Sequence, residues 1–251
     1  RLLADGPDPM TPAPGVTSSG QASLGGAQLF APRTLTLAAG QWTCLLGGSG
    51  VGKSTVLRLI SGLATEAAFE GDITATDTAP VAHRVAYMAQ DDLLLPWASV
   101  SENIPLGARL RSEAPYRARL ARILARVGLV EHADKKPAEL SGGQRQRVAL
   151  ARTLMEDKPV ILLDEPFSAL DAQTRAAMQD LAVEVLAHKT VLIVTHDPAE
   201  AARLGHAILV MTPEGLTSHP PPDGAIPRPV DDLGTLECQA SLLRLLRSTV
   251  S

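Results

Sequence analysis

The chain has 251 residues, 45% of them hydrophobic and 20% charged, which is enough to bury the core of one large domain. Its net charge of −4 supplies no general basic surface, so we expect no nucleic-acid partner. The two cysteines, Cys44 and Cys238, match no metal-ligand spacing and predict free thiols in a reducing compartment.

The first 22 residues are rich in proline, glycine and serine, and we interpret residues 1–22 as a flexible leader. They contain no apolar core of signal-peptide length. No apolar run elsewhere in the sequence reaches the roughly 18–20 residues of a membrane-spanning helix. We therefore expect any association with a membrane to come through a partner protein.

Short apolar runs alternate with helix-like segments through the middle of the chain. Each run is bounded by polar residues or glycine, as is typical of parallel strands that are buried on both faces. The runs are Thr43–Leu46, Val85–Met88, Val160–Leu163 and Val191–Val194. Residues 53–63, 99–127 and 172–187 predict helices. The alternation predicts an α/β fold with a mostly parallel sheet flanked by helices.

The segment after the first run reads GGSGVGKS and fits the phosphate-binding pattern G-x-x-x-x-G-K-[ST]. Its glycines let successive backbone N–H groups turn toward phosphate oxygens, and the following helix N-terminus favours an anion. Lys53 is expected to reach the β- and γ-phosphates, and Ser54 to ligate Mg²⁺. A glycine-rich turn without a ligand is disfavoured, because strand, loop, Lys-Ser pair and helix occur in the required order. The expected nucleotide contacts are Gly47, Gly48, Ser49, Gly50, Val51, Gly52, Lys53, Ser54 and Thr55.

The run at Val160 continues as VILLDEP, so that two carboxylates follow the carboxyl end of a strand, where ligands bind in open α/β sheets. Beside a phosphate loop, Asp164 is expected to hold Mg²⁺, and Glu165 to activate the attacking water as a general base. His196 follows the next run and is expected to contact the γ-phosphate and orient that water. Alone, these groups are equally consistent with a solvated turn and a structural histidine. The expected catalytic residues are Glu165, His196 and Lys53.

The segment LSGGQRQR, from Leu140 to Arg147, stands where a helix should begin. Two adjacent glycines cost a helix about 1 kcal/mol each relative to alanine. A serine hydroxyl and glycine amides at a helix start form a second anion site. One domain needs only one cradle for one triphosphate, so we expect a head-to-tail homodimer with two shared sites. The residues expected to act across the dimer are Ser141, Gly142, Gly143 and Gln144.

With these motifs in this order, the sequence resembles the ATP-binding cassette (ABC) ATPases from about residue 28 to residue 211. LSGGQ matches the family's signature motif, and SALD at Ser168–Asp171 matches its dimer-interface loop. Gln90 in YMAQDD matches the glutamine that joins the core to a helical subdomain. The resemblance implies ATP and Mg²⁺ as cofactors, with Gln90 at the nucleotide and Ser54, Gln90 and Asp164 at the metal.

The same resemblance implies a P-loop core domain over residues 23–211, with a helical subdomain at about residues 91–155 and a small antiparallel β region. One departure concerns adenine, which the family stacks on an aromatic residue. That position falls near Leu24, where the sequence has no aromatic residue, and Phe30 and Trp42 do not fit the usual spacing.

The segment DDLLLPWASVSENIPLG and the PRP tail resemble the nitrate/sulfonate/taurine importer group, whose features importers of thiamine pyrimidine precursors share. This implies a subunit at the cytoplasmic face of the inner membrane, with a separate permease and, indirectly, a solute-binding protein. The apolar stretch Leu93–Trp97 is expected to form a groove for the permease. Internal packing of the helical subdomain is the alternative for this stretch.

Residues 212–251 are interpreted as a proline-rich linker and a C-terminal helix. The helix is expected to dock on the main domain, and a regulatory tail is the alternative. Its expected apolar anchors are Leu242, Leu243, Leu245 and Leu246. For the whole chain, a soluble ABC ATPase that acts on a non-membrane assembly remains as an alternative. A binding module without catalysis is disfavoured, because Lys53, Glu165 and His196 are intact.

Overall fold

The computed structural model describes residues 13–48, 50–63, 65–113, 117–212 and 215–248. In these residues, nine strands form two sheets. The strands are β1 (Val16–Leu24), β2 (Ala27–Leu37), β3 (Trp42–Gly47), β4 (Ala67–Ala75), β5 (Val85–Met88), β6 (Val160–Asp164), β7 (Thr190–Thr195), β8 (Ala207–Thr212) and β9 (Gly215–His219). The main sheet has the order β5-β6-β7-β3-β8-β9 and is parallel except for β9. A smaller antiparallel sheet has the order β2-β1-β4.

Helices follow most strands of the main sheet and cover it. They are α1 (Lys53–Ser61), α2 (Val100–Asn103), α3 (Leu106–Leu110), α4 (Arg117–Arg126), α5 (Gly142–Met155), α6 (Ala172–Val185), α7 (Pro198–Leu204) and α8 (Leu233–Ser248). None of the helices in the described ranges combines the length and apolar composition that a membrane span requires. The predicted fold class, with a parallel sheet, flanking helices and a small antiparallel sheet, is confirmed.

The three central strands of the main sheet, β6, β7 and β3, are buried on both faces, in agreement with their unbroken apolar runs. On β3, Cys44 and Leu46 point into the core on one face, whereas Leu45 points into the core on the other. Ile161 and Leu162 divide between the same two cores on β6. Burying such a side chain fully contributes about 1.5–3 kcal/mol, so the central strands fix the frame that carries the site.

The small sheet corrects the expected extent of the leader. Residues 1–12 lie outside the described residues, but residues 16–22, which the sequence analysis places in the leader, belong to β1. This strand is the centre of the small sheet and pairs with β2 on one side and β4 on the other. Its sequence, VTSSGQASL, lacks the apolar alternation that identifies a strand, because only Val16 and Ala22 along it are buried and the other positions can be polar. Its position depends on backbone pairing with β2, the next strand along the chain, and with β4, which is distant in sequence.

The C-terminal segment docks on the main domain through a buried arginine. Arg228, in the PRP sequence, is 3% exposed and donates from Nη1 to the carbonyl oxygens of Ala202 and Gly205, both at 2.9 Å. These carbonyls lie at the end of α7 and just after it, so Arg228 fastens the linker to α7. The α8 helix then packs along α7.

Three of the four expected anchors of α8 face the core, and the fourth does not. Leu242 is fully buried, and Leu245 and Leu246 pack against the same core at partial burial. Leu243 is 48% exposed, so its expected role as an anchor is wrong. Successive residues on a helix turn by about 100°, which places Leu243 away from the face that Leu242 occupies.

Candidate active site

The expected site residues follow the carboxyl ends of four neighbouring parallel strands. The phosphate loop follows β3, His196 follows β7, Glu165 follows β6 and Gln90 follows β5. These strands lie side by side in the order β3, β7, β6, β5. The fold therefore gathers at one edge of the sheet residues that are far apart in sequence, as expected for ligand sites in open α/β folds.

The phosphate loop needs glycine at two positions for different reasons. Gly52 has a φ of 95°, a left-handed conformation that other residues rarely adopt, and it directly precedes α1. Gly47 has no room for a side chain, since a Cβ there would lie 2.6 Å from the carbonyl oxygen of Met211. Ser49 lies outside the described residues. Gly48 and Gly50 are exposed, and the loop leads into the N-terminus of α1, which favours an anion.

Lys53 lies inside this loop. Its Nζ donates to the carbonyl oxygens of Gly47 at 2.9 Å and Gly48 at 2.7 Å. Burial lowers the pKa of Lys53, and the negative charges of Glu165 and Asp164 oppose that shift. A phosphate oxygen is a stronger acceptor for an ammonium group than a neutral carbonyl oxygen is. Lys53 is therefore positioned to bind phosphate at the loop, and Val51 and Thr55 lie half-buried beside it.

Ser54 and Asp164 form the pair expected at a magnesium ion. The hydroxyl of Ser54 donates to Oδ1 of Asp164 at 3.1 Å. The described part of the chain holds no cluster of three or more His, Cys, Asp or Glu side chains that could bind a metal by themselves. Mg²⁺ commonly takes one or two protein oxygens and completes its shell with phosphates and water. A hydroxyl and a carboxylate beside a phosphate loop therefore fit this ion.

Tyr87, which lies outside the sequence motifs, supports Asp164 from β5. The hydroxyl of Tyr87 donates to Oδ2 of Asp164 at 2.9 Å. Burial, reinforced by the charge of Asp164, raises the pKa of Tyr87 to about 12, so the hydroxyl stays a donor at neutral pH. A hydroxyl in the otherwise apolar run VAYM was the available indication, but only the pairing of β5 with β6 shows its partner.

Glu165 is the point at which the other expected hydrolytic groups meet. Its Oε2 lies 2.9 Å from Nδ1 of His196 and 3.4 Å from Nε2 of Gln90. Its φ of 45° is a left-handed value that non-glycine residues rarely adopt, and its N–H donates to the carbonyl oxygen of Val194 on β7. Such a backbone is kept where the surrounding structure fixes it. Gln90 contacts Glu165, and no described hydrogen bond joins it to Ser54 or Asp164.

A buried carboxyl group supports the loop that carries His196. The hydroxyl of Thr195 donates to Oε2 of Glu200 at 2.7 Å and accepts from the N–H of Asp197 at 3.0 Å. Glu200 is 3% exposed, and burial raises its pKa to about 7. No local pattern indicates this role, because Glu200 lies in the helical pattern of α7.

The signature segment forms the start of α5, and glycine occupies the first two positions of this helix. Ser141 Oγ accepts from the N–H of Gln144, and Gln144 Oε1 accepts from the N–H of Ser141, which completes a capping box. Nε2 of Gln144 lies 2.8 Å from Nε2 of His132. Gly142 is open to its surroundings, whereas a Cβ on Gly143 would lie 2.5 Å from Thr174 Cγ2.

The structure does not bring the signature segment to the phosphate loop of the same chain. No hydrogen bond among the described residues joins the two segments, and the signature side chains bond within their own turn and to His132. This is the arrangement that an action across a dimer requires. The expected roles of Ser141–Gln144 stay a prediction.

The position expected to stack on adenine remains without an aromatic side chain. Leu24 ends β1 and is 44% exposed. Phe30 lies under the phosphate loop, with Cδ1 only 3.2 Å from the position that a Cβ on Gly52 would take. It is 3% exposed and covered by the guanidinium of Arg33, 4.6 Å from the ring centre, so it has no free face for a base.

The apolar stretch after Gln90 forms an exposed ridge that buried polar groups hold in place. Leu93 and Trp97 are 62% and 70% exposed, whereas Leu94 between them is buried in the main core, so only part of the stretch is exposed and part of it packs internally. Asn103, fully buried in α2, accepts from the N–H of Leu95 and donates to the carbonyl oxygens of Leu95, Ala98 and Ser99. Arg152 of α5 donates to the carbonyl oxygens of Asp92 and Leu93.

Two clefts lie along this ridge and share Leu106 and Leu110. One has a volume of about 320 Å³ and includes Trp97, and the other has a volume of about 290 Å³ and includes Leu93 and Tyr87. Because they share these leucines, the two clefts adjoin and form one mainly apolar groove, whose lining also includes Glu102, Arg109, Arg152 and Glu156. Tyr87 lines the groove and also donates to Asp164, so the groove adjoins the Ser54–Asp164 pair directly.

Comparisons with known proteins agree with this geometry. Residues 30–168 match the family described as ABC transporter. The chain is 43% identical over 231 residues to an uncharacterized ABC transporter ATP-binding protein of Haemophilus influenzae, covering 89% of this chain and 95% of the relative. It is 41% identical to the aliphatic sulfonates import ATP-binding protein SsuB of Delftia acidovorans, covering 89% of this chain and 90% of that protein.

The protein of the same name from Escherichia coli is 46% identical over 181 residues, covering 70% of this chain and 69% of that protein. Among solved structures, cbiO1 from Clostridium perfringens, part of the ABC transporter complex cbiONQ, superposes with a TM-score of 0.71. That match has 26% sequence identity and covers 80% of this chain and 86% of the other.

Proposed function

The chain belongs to the ABC transporter family, whose ATP-binding subunits are ATPases, and we propose that it energises an importer for a small organic anion of the aliphatic sulfonate type. The observation that carries the proposal is the meeting of His196 and Gln90 at Glu165, beside the Ser54–Asp164 pair. The names of the sulfonate importer subunits support the substrate class. Nitrate, taurine and thiamine pyrimidine precursors are the alternative substrates that the sequence resemblance implies.

We assign residues 16–219 to the ATPase domain instead of the expected 23–211, because β1 and β9 pair within its sheets. Residues of about 91–155 form its helical subdomain, and residues 220–251 form the linker and C-terminal helix. In this assignment Lys53 and the loop amides bind the phosphates, and Ser54 and Asp164 hold Mg²⁺. The ion, when bound, neutralises the charge on the β- and γ-phosphates. Gln90 lies beside the same phosphates and shortly before the apolar stretch that borders the groove. In this assignment it couples nucleotide binding to the position of the groove.

Hydrolysis follows from the geometry around Glu165. A water beside the γ-phosphate donates a hydrogen bond to the Glu165 carboxylate, which takes up a proton as the water oxygen attacks phosphorus. His196 holds Glu165 by the 2.9 Å contact of its Nδ1, and we assign its other ring nitrogen, Nε2, to the contact with the γ-phosphate. The bond between the γ-phosphorus and the oxygen that bridges to the β-phosphate breaks, and the products are ADP and inorganic phosphate.

The signature segment completes the site from a second copy of the chain. The amides of Gly142 and Gly143, which lie outside the capping box, are available to a γ-phosphate, and no described hydrogen bond joins them to the phosphate loop of their own chain. Two copies arranged head to tail satisfy both loops. The Ser168–Asp171 loop, which follows Glu165 directly, lies at the boundary between them.

The apolar groove is the surface for the permease. Leu93, Trp97 and Leu110 are its most exposed side chains, and a cytoplasmic helix of a membrane protein with an apolar face fits them. The subunit is then peripheral on the cytoplasmic face of the membrane. A solute-binding protein on the other side supplies the substrate to the permease.

The proposal is tested by co-purification from detergent-solubilised native membranes. We expect the chain to recover a multi-span permease, and the Trp97→Asp variant to lose it while basal ATPase activity persists. Leu243→Asp, which introduces the same charge at an exposed leucine outside the groove, is the matched control and should retain the permease. Recovery of soluble partners alone would favour the ABC ATPase that serves a non-membrane assembly.

A further inference from the structure

A second cleft carries a concentration of positive charge that the ATPase reaction does not use. Its volume is about 510 Å³, within the range of about 300–1,000 Å³ typical of small-molecule sites. Arg119, Arg122 and Arg126 line it from α4, and Lys189 lines it from the turn before β7. Asp157 is the one carboxylate among its described lining residues. Four cations and one anion leave a charge of +3 in a chain whose net charge is −4.

The cleft lies at the opposite edge of the main sheet from the hydrolytic groups. Asp157 precedes β6 and Lys189 directly precedes β7, whereas Glu165 and His196 follow the same two strands. A strand of five or six residues spans roughly 17–20 Å at about 3.3 Å per residue. A ligand in the cleft is therefore distinct from the nucleotide that is hydrolysed.

Two of the four cationic side chains, Arg119 and Lys189, already pair with Asp157, and these contacts stabilise the wall of the cleft. Arg119 donates from Nη1 to Asp157 and from Nη2 to the carbonyl oxygen of Leu154 at 2.8 Å. Lys189 Nζ lies 3.6 Å from the other oxygen of Asp157. Asp157 thus sits between two cations and is more than neutralised by them.

The other two arginines are exposed and form no ion pair with any of the described residues. Arg126 makes one hydrogen bond, at 3.3 Å, to the carbonyl oxygen of Glu184, which leaves its charge uncompensated. Arg122 makes no hydrogen bond or ion pair with any residue in the described ranges. Because they are four residues apart on α4, their side chains lie on the same face of the helix.

The floor of the cleft is apolar and consists of Ile123, Leu154 and Val185. An inorganic anion would contact only the arginine rim, whereas a molecule with a short apolar body would also cover this floor. We propose that the cleft binds a small organic anion whose phosphate or sulfonate group pairs with Arg122 and Arg126 and whose apolar body lies on the floor. A planar guanidinium pairs with such oxyanions through two hydrogen bonds.

Isothermal titration calorimetry of the full chain tests the proposal, with hexyl phosphate and hexyl sulfonate as probes. Saturating Mg²⁺ and ADP keep the probes away from the phosphate loop, and hexan-1-ol reports on the floor alone. We expect at least one anionic probe to bind with a submillimolar Kd, and hexan-1-ol to bind at least tenfold more weakly. The R122E/R126E variant should weaken the anion at least tenfold, and R122Q/R126Q by a smaller factor. Neither change should alter basal ATPase activity.

The matched control is R244E/R247E, which reverses two exposed arginines on α8 and should bind the probes as the unmodified chain does. The proposal is overturned if neither probe binds at millimolar concentration, or if R122E/R126E binds as tightly as the control. Flotation with phosphatidylglycerol vesicles separates a lipid source of the same chemistry. Vesicle binding that needs Arg122 and Arg126, without binding of either hexyl probe, would also overturn a soluble ligand.

Discussion

Contacts with neighbouring strands and loops fix the position of the Glu165 side chain. Its carboxylate lies within 2.9 Å of His196 and 3.4 Å of Gln90, and its backbone is fixed on β7 by a hydrogen bond to Val194. Three strands therefore set the position of one carboxylate. A general base must lie within hydrogen-bond reach of the water it activates, so small displacements of this group should have large effects on the rate.

Replacing Glu165 by Gln keeps the shape of the side chain and removes its basicity. We expect the Glu165→Gln variant to bind ATP normally, to accumulate as an ATP-bound dimer and to lose at least about 100-fold in kcat, the lower range for a general base. Phosphate release and analytical ultracentrifugation with Mg²⁺ and ATP measure the two effects. Unchanged hydrolysis would refute the assigned role.

Glu200 makes stability depend on pH. Burial raises its pKa from 4.5 to about 7 in the folded state. As pH rises through 4.5 the unfolded chain loses this proton first, so the free energy of unfolding falls between pH 4.5 and pH 7 and then levels off. The shift corresponds to about 3 kcal/mol, at about 1.36 kcal/mol per pKa unit.

In the Glu200→Gln variant the side chain does not ionise, so the free energy of unfolding should not fall between pH 4.5 and pH 7 on account of this residue. Urea denaturation at pH 5 and pH 8 should show the unmodified chain losing more stability with rising pH than the variant does. Asp223→Asn, which removes a carboxyl group from the exposed linker, serves as the control. An equal pH dependence in Glu200→Gln and the unmodified chain would contradict the buried-carboxyl account.

At the scale of elements, α5 shows why a helix begins with two glycines. Gly142 is open, since a Cβ there would have its nearest neighbour 3.9 Å away, whereas Gly143 lies directly against Thr174 of α6. The two positions therefore need glycine for different reasons. The open position suits an approaching phosphate, and the closed position lets α5 pack against α6.

Gly143→Ala should destabilise the fold through its contact with Thr174. The added Cβ would lie 2.5 Å from Thr174 Cγ2, and we expect a loss of about 1–3 kcal/mol in the free energy of unfolding. Gly142→Ala is the matched control and should be neutral or stabilising, because alanine favours the helix. Thr174→Ser removes the opposing methyl group and should restore the Gly143→Ala variant. Failure of that rescue would place the effect elsewhere.

The two adjacent leucines of α8 should differ sharply in their contribution to stability. Leu242 is fully buried and Leu243 is 48% exposed. Leu242→Ala should cost about 2–5 kcal/mol, since a cavity is left in the core. Leu243→Ala should cost less than about 0.5 kcal/mol. Urea denaturation of the two variants measures the difference, and equal costs would show that α8 is not docked as described.

At the scale of the whole molecule, one copy of the chain carries two incomplete anion sites. The phosphate loop lies at the edge of the main sheet, and the signature turn of α5 bonds only within its own turn and to His132 in the described structure. The head-to-tail homodimer proposed above completes both sites with the same two segments. Each chain then supplies the cradle of one site and the signature of the other.

Mixing two inactive variants tests this arrangement. Lys53→Ala removes the cradle and Ser141→Arg blocks the signature, so each variant alone should lack activity. A mixed dimer contains one site built from the intact cradle of one chain and the intact signature of the other. We therefore expect the mixture to recover ATPase activity in proportion to the mixed dimers formed. A mixture that stays inactive, although mixed dimers are present, would contradict shared sites.

The sequence alone determined the phosphate loop, the two carboxylates at the carboxyl end of β6, the signature turn and the parallel sheet. These features depend on local spacing, since a glycine-rich loop needs its glycines, and a strand buried on both faces needs an unbroken apolar run. For the same reason α8 could be predicted from its pattern, although its exact face could not.

Only the tertiary structure decided which distant groups meet. The contacts of Tyr87 with Asp164 and of Gln90 with Glu165 depend on which strands are neighbours, and no local pattern encodes that order. The polar strand β1 is held by backbone pairing with the adjacent β2 and with the remote β4. Leu243 faces outward because Leu242, its neighbour on α8, occupies the face that packs on the core. Backbone pairing and burial are properties of the whole chain, so they appear only when the chain is folded.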